Sequence, residues 1–220
     1  MNKITSEIIK ALKNRLPGRN AQLKMAPMNR ARINLDDIEI QTYRKSAVMI
    51  LFCEDENQNI FIPLIERMSY DGVHSGQISF PGGKFDIDDV DLKNTALREC
   101  LEEIGIIDAD IIGELSDLPI PVSKFLVKPF LGISSQVNPK FNINKREVNA
   151  VIILDLKNFL ENDLVREGEV EIGGGVNITV PYFEVQNKKF TKCSGDRDLE
   201  TVIKINKTWL KSKIGSNRQP

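Results

Sequence analysis

Three glutamates, Glu99, Glu102 and Glu103, follow an arginine in the run Arg98-Glu99-Cys100-Leu101-Glu102-Glu103-Ile104-Gly105. On a helix advancing about 100° per residue, Leu97, Cys100, Leu101 and Ile104 share one arc and the three glutamates share the opposite one. Like charges three and four residues apart cost a helix about 0.2–0.5 kcal/mol per pair. Arg98, four residues before Glu102, offsets part of that cost. A hard divalent cation such as Mg²⁺ or Mn²⁺, which prefers carboxylate oxygens, offsets the rest. A solvated helix face is the plain alternative, and the upstream sequence weighs against it. Ser75-Gly76-Gln77-Ile78-Ser79-Phe80-Pro81-Gly82-Gly83-Lys84 reads as a short strand breaking into two glycines, where backbone must approach something closely. Together these parts suit a metal-dependent site for a phosphate.

The elements that must position these residues follow from hydrophobic spacing. Thr95 to Ile104 is predicted to be the carboxylate helix, closed by Gly105, a residue suited to a helix C-terminus. Ala47 to Phe52 and Ile60 to Ile65 flank the turn formers Glu54 to Asn59, which predicts a hairpin of mostly buried strands. Further strands are expected at Phe125 to Ile133, Ala150 to Leu156, Val170 to Ile172 and Ile178 to Val185. Helices are expected at Thr5 to Leu16, stopped by Pro17-Gly18, and at Leu199 to Ile214. Strands mixed with a few helices favour an α+β domain over a doubly wound sheet. Asp86, Asp88 and Asp91, in the loop before the helix, are expected to be solvated charges.

The same residues resemble the Nudix hydrolase family, whose box reads G-x5-E-x7-R-E-U-x-E-E-x-G-U with U aliphatic. Arg98, Glu99, Glu102, Glu103, Gly105 and Ile106 match its second half. Its first half is one residue longer here, and the acidic slot six after Gly83 holds Asp89. That departure is similar to the coenzyme A diphosphatase branch, as is the helix start Thr95-Ala96-Leu97-Arg98-Glu99. Leu64, Arg67, Gly76, Phe80, Pro81, Gly82 and Gly83 match that branch's upstream signature. Its second arginine slot is Gly72 and its T and S slots are Ile65 and Met68. The resemblance spans about Pro63 to Ile106 and is weak beyond it.

The resemblance implies a Nudix-like α/β/α sandwich, with a mixed sheet between helices, over residues 37–220, preceded by an N-terminal helical extension over 1–36. It implies hydrolysis of a nucleoside-linked diphosphate by water with Mg²⁺ or Mn²⁺ bound. The leading substrate is coenzyme A or a derivative, split into 4′-phosphopantetheine and adenosine 3′,5′-bisphosphate. Another nucleoside diphosphate derivative, such as ADP-ribose or NADH, is the alternative, and a non-catalytic nucleotide-binding module is the alternative of a different class. Glu99 and Glu103 would be the main metal ligands, with Glu102 completing the set and the Gly82 carbonyl supplying a backbone ligand. Glu99 or Glu102 would take the proton of water. Arg98 would orient the cluster by pairing with Asp89. Arg67 and Gly83 would meet substrate, and Glu147 would be an additional acid. His74, the only histidine, is read as structural. Cys100 points to the packed face, which argues against an isomerase that needs a reactive cysteine.

Composition narrows the classes further. Lys and Arg number 30 against 31 Asp and Glu, too even a balance for a surface that coats nucleic acid or an anionic membrane. The three cysteines, Cys53, Cys100 and Cys193, lack C-x-x-C spacing, so neither a zinc site nor a disulfide framework is expected. No apolar run approaches the ~20 residues of a bilayer span. The reading is a cytoplasmic protein with a small-molecule nucleotide substrate, and a homodimer is compatible with it. Acid is nevertheless concentrated from Asp86 to Glu103, where a polyanionic substrate would need cations between it and the protein.

Overall fold

The structure, a computed structural model, describes residues 3–12, 40–68, 78–120, 123–161, 165–172, 176–185 and 188–190. The expected C-terminal helix, His74, Gly72 and Cys193 lie outside them. The elements are helix α1 (Lys3–Leu12), strands β1 (Arg44–Glu54), β2 (Ile60–Arg67), β3 (Ile78–Ser79) and β4 (Gly82–Lys84), helix α2 (Leu92–Ile104), strands β5 (Ala109–Glu114), β6 (Leu118–Ile120), β7 (Phe125–Val137) and β8 (Val148–Asp155), helix α3 (Leu156–Glu161), and strands β9 (Val165–Ile172), β10 (Val176–Val185) and β11 (Lys188–Phe190). Strands β1 to β8 form one mixed sheet, and β9 to β11 form a separate antiparallel one.

Strand β1 is the middle of the larger sheet. It runs parallel to β7 from Arg44↔Phe125 to Glu54↔Val137. On its other edge it pairs with β2 only at Cys53↔Phe61 and Glu54↔Ile60. The predicted hairpin therefore forms and then splays. Into the gap comes β4, with Ser46↔Lys84, Ala47↔Gly83 and Val48↔Gly82 paired along the edge that β2 has left. Beyond the fork β2 takes β8 and β3 as partners.

Both faces of β1 are buried, as a central strand covered by helices requires. Val48, Ile50 and Phe52 face a core completed by Ile8 of α1 and by Leu156 and Phe159 at α3. Ala47, Met49, Leu51 and Cys53 face a second core completed by Ala96, Cys100 and Ile104 of α2. This is the expected sandwich. No helix among the described residues is long and apolar enough to cross a membrane.

The carboxylate helix begins at Leu92, three residues before the expected Thr95. Asp91, expected to be a solvated charge, is its N-cap, accepting from the Asn94 N–H at 2.9 Å. At the other end Gly105 has φ 76°, the left-handed conformation that favours glycine. Its N–H donates to the Leu101 carbonyl at 2.9 Å. Strands β5 and β6 and helix α3 were not anticipated. They are short, and β5 has a mostly half-buried pattern with little alternation to detect.

Ile8 is 1% exposed, so α1 seals part of the first core. Ile8→Ala is expected to cost about 2–4 kcal/mol of stability, measured by urea denaturation. A loss under about 0.5 kcal/mol would show that α1 is dispensable to the packed domain.

Candidate functional site

Helix α2 and strand β4 meet where β1 and β2 part. The helical projection places Leu101 on the packed arc and Glu103 opposite, and here the structure corrects it. Leu101 is 44% exposed, whereas Glu103 is 1% exposed. The buried residues of α2 are Thr95, Ala96, Cys100, Glu103 and Ile104, an arc centred on Ala96 and Glu103. The Glu103 carboxylate meets the Gly82 N–H and Arg67, polar partners that hydrophobic periodicity does not register.

Glu103 is held at both ends of its carboxylate. Its Oε2 accepts the Gly82 N–H at 2.8 Å. Its Oε1 lies 3.3 Å from Arg67 Nη1 yet, although buried, has no hydrogen-bond partner among the described residues. Burial pushes the Glu103 carboxyl up to about 7, with Arg67 and the Gly82 N–H opposing the shift and the Glu99 and Glu147 charges adding to it. Arg67, through Nη2, donates to the Gly82 carbonyl at 3.0 Å. The two groups expected to meet metal and the one expected to meet phosphate thus contact each other directly.

A second arginine organises the solvent side. Arg98 forks onto Asp89, with Nε to Oδ1 at 2.9 Å and Nη2 to Oδ2 at 3.0 Å. Its Nη1 donates to Glu99 Oε1 at 2.9 Å and to Glu102 Oε2 at 3.0 Å, and Nη2 also reaches the Lys84 carbonyl at 3.2 Å. The expected pairing with Asp89 and the simple four-residue pairing with Glu102 therefore coexist. Asp89 also accepts from Thr95 Oγ1 at 2.8 Å and from the Asp86 N–H at 3.0 Å. The Arg98 bond holds the Asp89 carboxyl well below the usual carboxylate range, and Asp89 in turn pushes the Arg98 guanidinium up. Burial raises Glu99, partly opposed by Arg98.

The glycines act through space. A Cβ on Gly83 would collide with the Glu99 carboxylate, and one on Gly82 would collide with the Ala47 carbonyl and come within 2.7 Å of Val48 Cα. Glu147 is exposed and joins this corner through its backbone, its carbonyl accepting the Met68 N–H at 2.8 Å next to Arg67. The Asn142 and Asn144 N–H groups bond the Ile104 and Glu103 carbonyls at 3.0 and 3.2 Å, a cap for the end of α2 that sequence spacing did not signal. Cys100 is wholly buried, and burial pushes its thiol up.

The carboxylates share the site without converging. Among the described residues, no three acidic, histidine or cysteine side chains stand together as a metal cage. Glu99 and Glu102 are drawn together by Arg98, while Glu103 turns under the glycine loop. The donors that remain are hard oxygens: both Glu99 and Glu102 carboxylates, the orphaned Oε1 of Glu103, and the Gly82 carbonyl. That set suits a hard divalent cation rather than a soft one.

Gly82→Ala should destabilise the fold by about 1–3 kcal/mol, because backbone must move. Gly83→Ala should cost much less, since only the flexible end of Glu99 has to shift. Equal losses in chemical denaturation would refute this division. A second expectation concerns pH. The ordinary value for Glu103 is 4.5 and the folded value about 7, so the folded chain holds an extra proton between them. Its contribution to stability is complete below the lower value and is lost as pH rises through the upper one. In chelator, Glu103→Gln should therefore flatten the fall in Tm between about pH 5 and about pH 8. Parallel slopes in calorimetry would refute the assignment.

The chain is similar to proteins already known. The family described as the NUDIX domain matches residues 43–164, more than half of the 220-residue chain. Nudix hydrolase 15, mitochondrial, of Arabidopsis thaliana is 35% identical over 159 residues, 70% of this chain and 52% of that protein. Mitochondrial coenzyme A diphosphatase NUDT8 of Homo sapiens is 29% identical over 140 residues, 63% of this chain and 59% of that protein. A solved structure of a MutT/nudix family protein from Enterococcus faecalis aligns with a TM-score of 0.47 at 14% identity, covering 98% of this chain and 80% of that one. The chain spans about half the length of the curated relatives it matches. The matched residues include the splayed strands, the glycine loop, the carboxylate helix and Glu147, and the chain belongs to the Nudix family.

Proposed function

We propose that the chain is a Nudix hydrolase that uses Mg²⁺ or Mn²⁺ and water to split the diphosphate of coenzyme A or its derivatives into 4′-phosphopantetheine and adenosine 3′,5′-bisphosphate. The observation that carries the metal chemistry is the orphaned, buried Oε1 of Glu103 beside the Gly82 carbonyl. A buried carboxylate oxygen without a hydrogen bond is costly unless a cation meets it, and the cation that faces it here is the partly exposed Arg67 guanidinium at 3.3 Å. The substrate is supported by the resemblance of Leu64, Arg67 and Phe80 to Gly83 to the coenzyme A branch, and by a relative named as a coenzyme A diphosphatase.

In this reading Glu103, Glu99 and the Gly82 carbonyl hold the cation, and Glu102, at the exposed margin, completes the set. The cation when bound neutralises phosphate oxygens and acidifies water. Glu99 or Glu102 accepts the proton from the attacking water; both lie within reach of Arg98 Nη1, which fixes their carboxylates. Arg98 is a positioning residue, because Asp89, itself bonded by Thr95, and the Lys84 carbonyl hold it facing the helix. Gly83 leaves the room that Glu99 fills. Arg67 offers its planar fork to a phosphate, and Glu147 supplies a further carboxylate near Glu103. A second reading, hydrolysis of ADP-ribose or NADH, is favoured by Gly72 in the second arginine slot of the coenzyme A signature.

Purified protein incubated with Mg²⁺ or Mn²⁺ should release 4′-phosphopantetheine from coenzyme A, detected by mass spectrometry, faster than it cleaves ADP-ribose, NADH or dinucleoside polyphosphates. Turnover of one of these with none of coenzyme A would replace the leading substrate. Glu103→Gln should lower the rate by about 10³-fold or more, and unchanged turnover would remove Glu103 from the metal site.

A further inference from the structure

Two arginines border the carboxylates, and they are bound very differently. Arg98 forks symmetrically onto Asp89 and bonds Glu99, Glu102 and the Lys84 carbonyl. Displacing it would break several charge-assisted bonds at once. Arg67 reaches two oxygens among the described site residues, the Gly82 carbonyl at 3.0 Å and Glu103 Oε1 at 3.3 Å. The second contact is electrostatic only, since Oε1 has no hydrogen-bond partner among the described residues. Arg67 is also 28% exposed, whereas its partner carboxylate is 1% exposed, so one end of the pair can leave for water and the other cannot.

A buried carboxylate deprived of its counter-ion is strongly destabilising. Arg67 can therefore withdraw at low cost when another positive charge, a metal ion or a proton, takes its place. The two oxygens it bridges are two of those assigned above to the metal, so a guanidinium and a divalent ion compete for the same donors.

We propose that Arg67 is an internal counter-ion that competes with the divalent metal for Glu103 and the Gly82 carbonyl, and that metal entry frees its guanidinium to bind a substrate phosphate. The inference rests on the metal-hydrolase reading. It makes one residue oppose metal binding and favour phosphate binding. By linkage, metal and phosphate then strengthen each other's binding through Arg67. A residue that merely supports the loop would, when replaced, weaken both.

The test is calorimetric titration of Mn²⁺ alone into the full chain, its Arg67→Gln variant and its Arg67→Lys variant. Arg67→Gln is expected to bind Mn²⁺ about ten-fold more tightly than the parent, with Arg67→Lys between them. At saturating Mn²⁺ the non-hydrolysable probe α,β-methylene-ADP should bind Arg67→Gln more weakly. Mn²⁺ affinity equal to or below the parent's in both folded variants overturns the proposal. Should Arg67→Gln fail to fold, Arg67→Lys decides by the same sign. A parent chain that binds Mn²⁺ and hydrolyses a diphosphate while its variants show no tightening refutes the counter-ion role alone. A parent that does neither removes the hydrolase reading and this proposal together.

Discussion

A carboxylate with 1% exposure, Glu103, is the constraint around which the rest of the site is arranged. Burying a charge requires compensation on every side. The compensation comes from two separate stretches of chain: the Gly82 N–H on β4 and Arg67 at the end of β2. These can meet only because β1 and β2 part after two paired positions, Cys53↔Phe61 and Glu54↔Ile60, leaving an edge for β4 to occupy. Gly82 is needed there because any side chain would strike the Ala47 carbonyl and Val48. The fork in the sheet, the double glycine and the buried glutamate are thus one structural solution.

The opposing charges are sorted by how tightly they are held. Asp89, Arg98 and Thr95 form a closed network in which each donor and acceptor is matched at 2.8 to 3.0 Å. Such a network fixes the helix against the loop and keeps Glu99 and Glu102 on one side of it. It also keeps Asp89 ionised well below the usual range, so its stabilising effect persists until strongly acidic pH. Glu103 behaves in the opposite sense, its raised value reflecting incomplete compensation by Arg67 and Gly82. One face of the site is electrostatically finished, and the other is where an added cation gains most.

Packing beneath the site supplies rigidity. Ala96 and Cys100 are small enough to bring α2 against Ala47, Met49 and Leu51 on β1, and the caps at Asp91 and Gly105 fix its length. The opposite face of β1 is closed by Ile8, Leu156 and Phe159. A site whose donors must hold their positions to within a fraction of an ångström benefits from sitting on a strand buried on both faces.

The type of chemistry was legible in the sequence because it depends on local spacing. Glu99, Glu102 and Glu103 lie within two helical turns, Gly105 ends their helix, and Gly82-Gly83 announces a close approach; each follows from neighbours along the chain. The hairpin, the long strand from Phe125 and the α+β class follow from hydrophobic runs in the same way. What spacing does not carry is which face of α2 meets a polar neighbour. Leu101 is left in solvent and Glu103 is buried because Arg67, fifteen residues before Gly82, is brought across the gap between β1 and β2. The backbone cap from Asn142 and Asn144 and the bond from the Met68 N–H to the Glu147 carbonyl are likewise contacts between distant segments. The sequence by itself determined which groups are available for chemistry. Only the tertiary structure decided how the Glu103 charge is paired and which of its oxygens is left without a hydrogen bond among the described residues, because long-range contact, unlike helical periodicity, has no local signature.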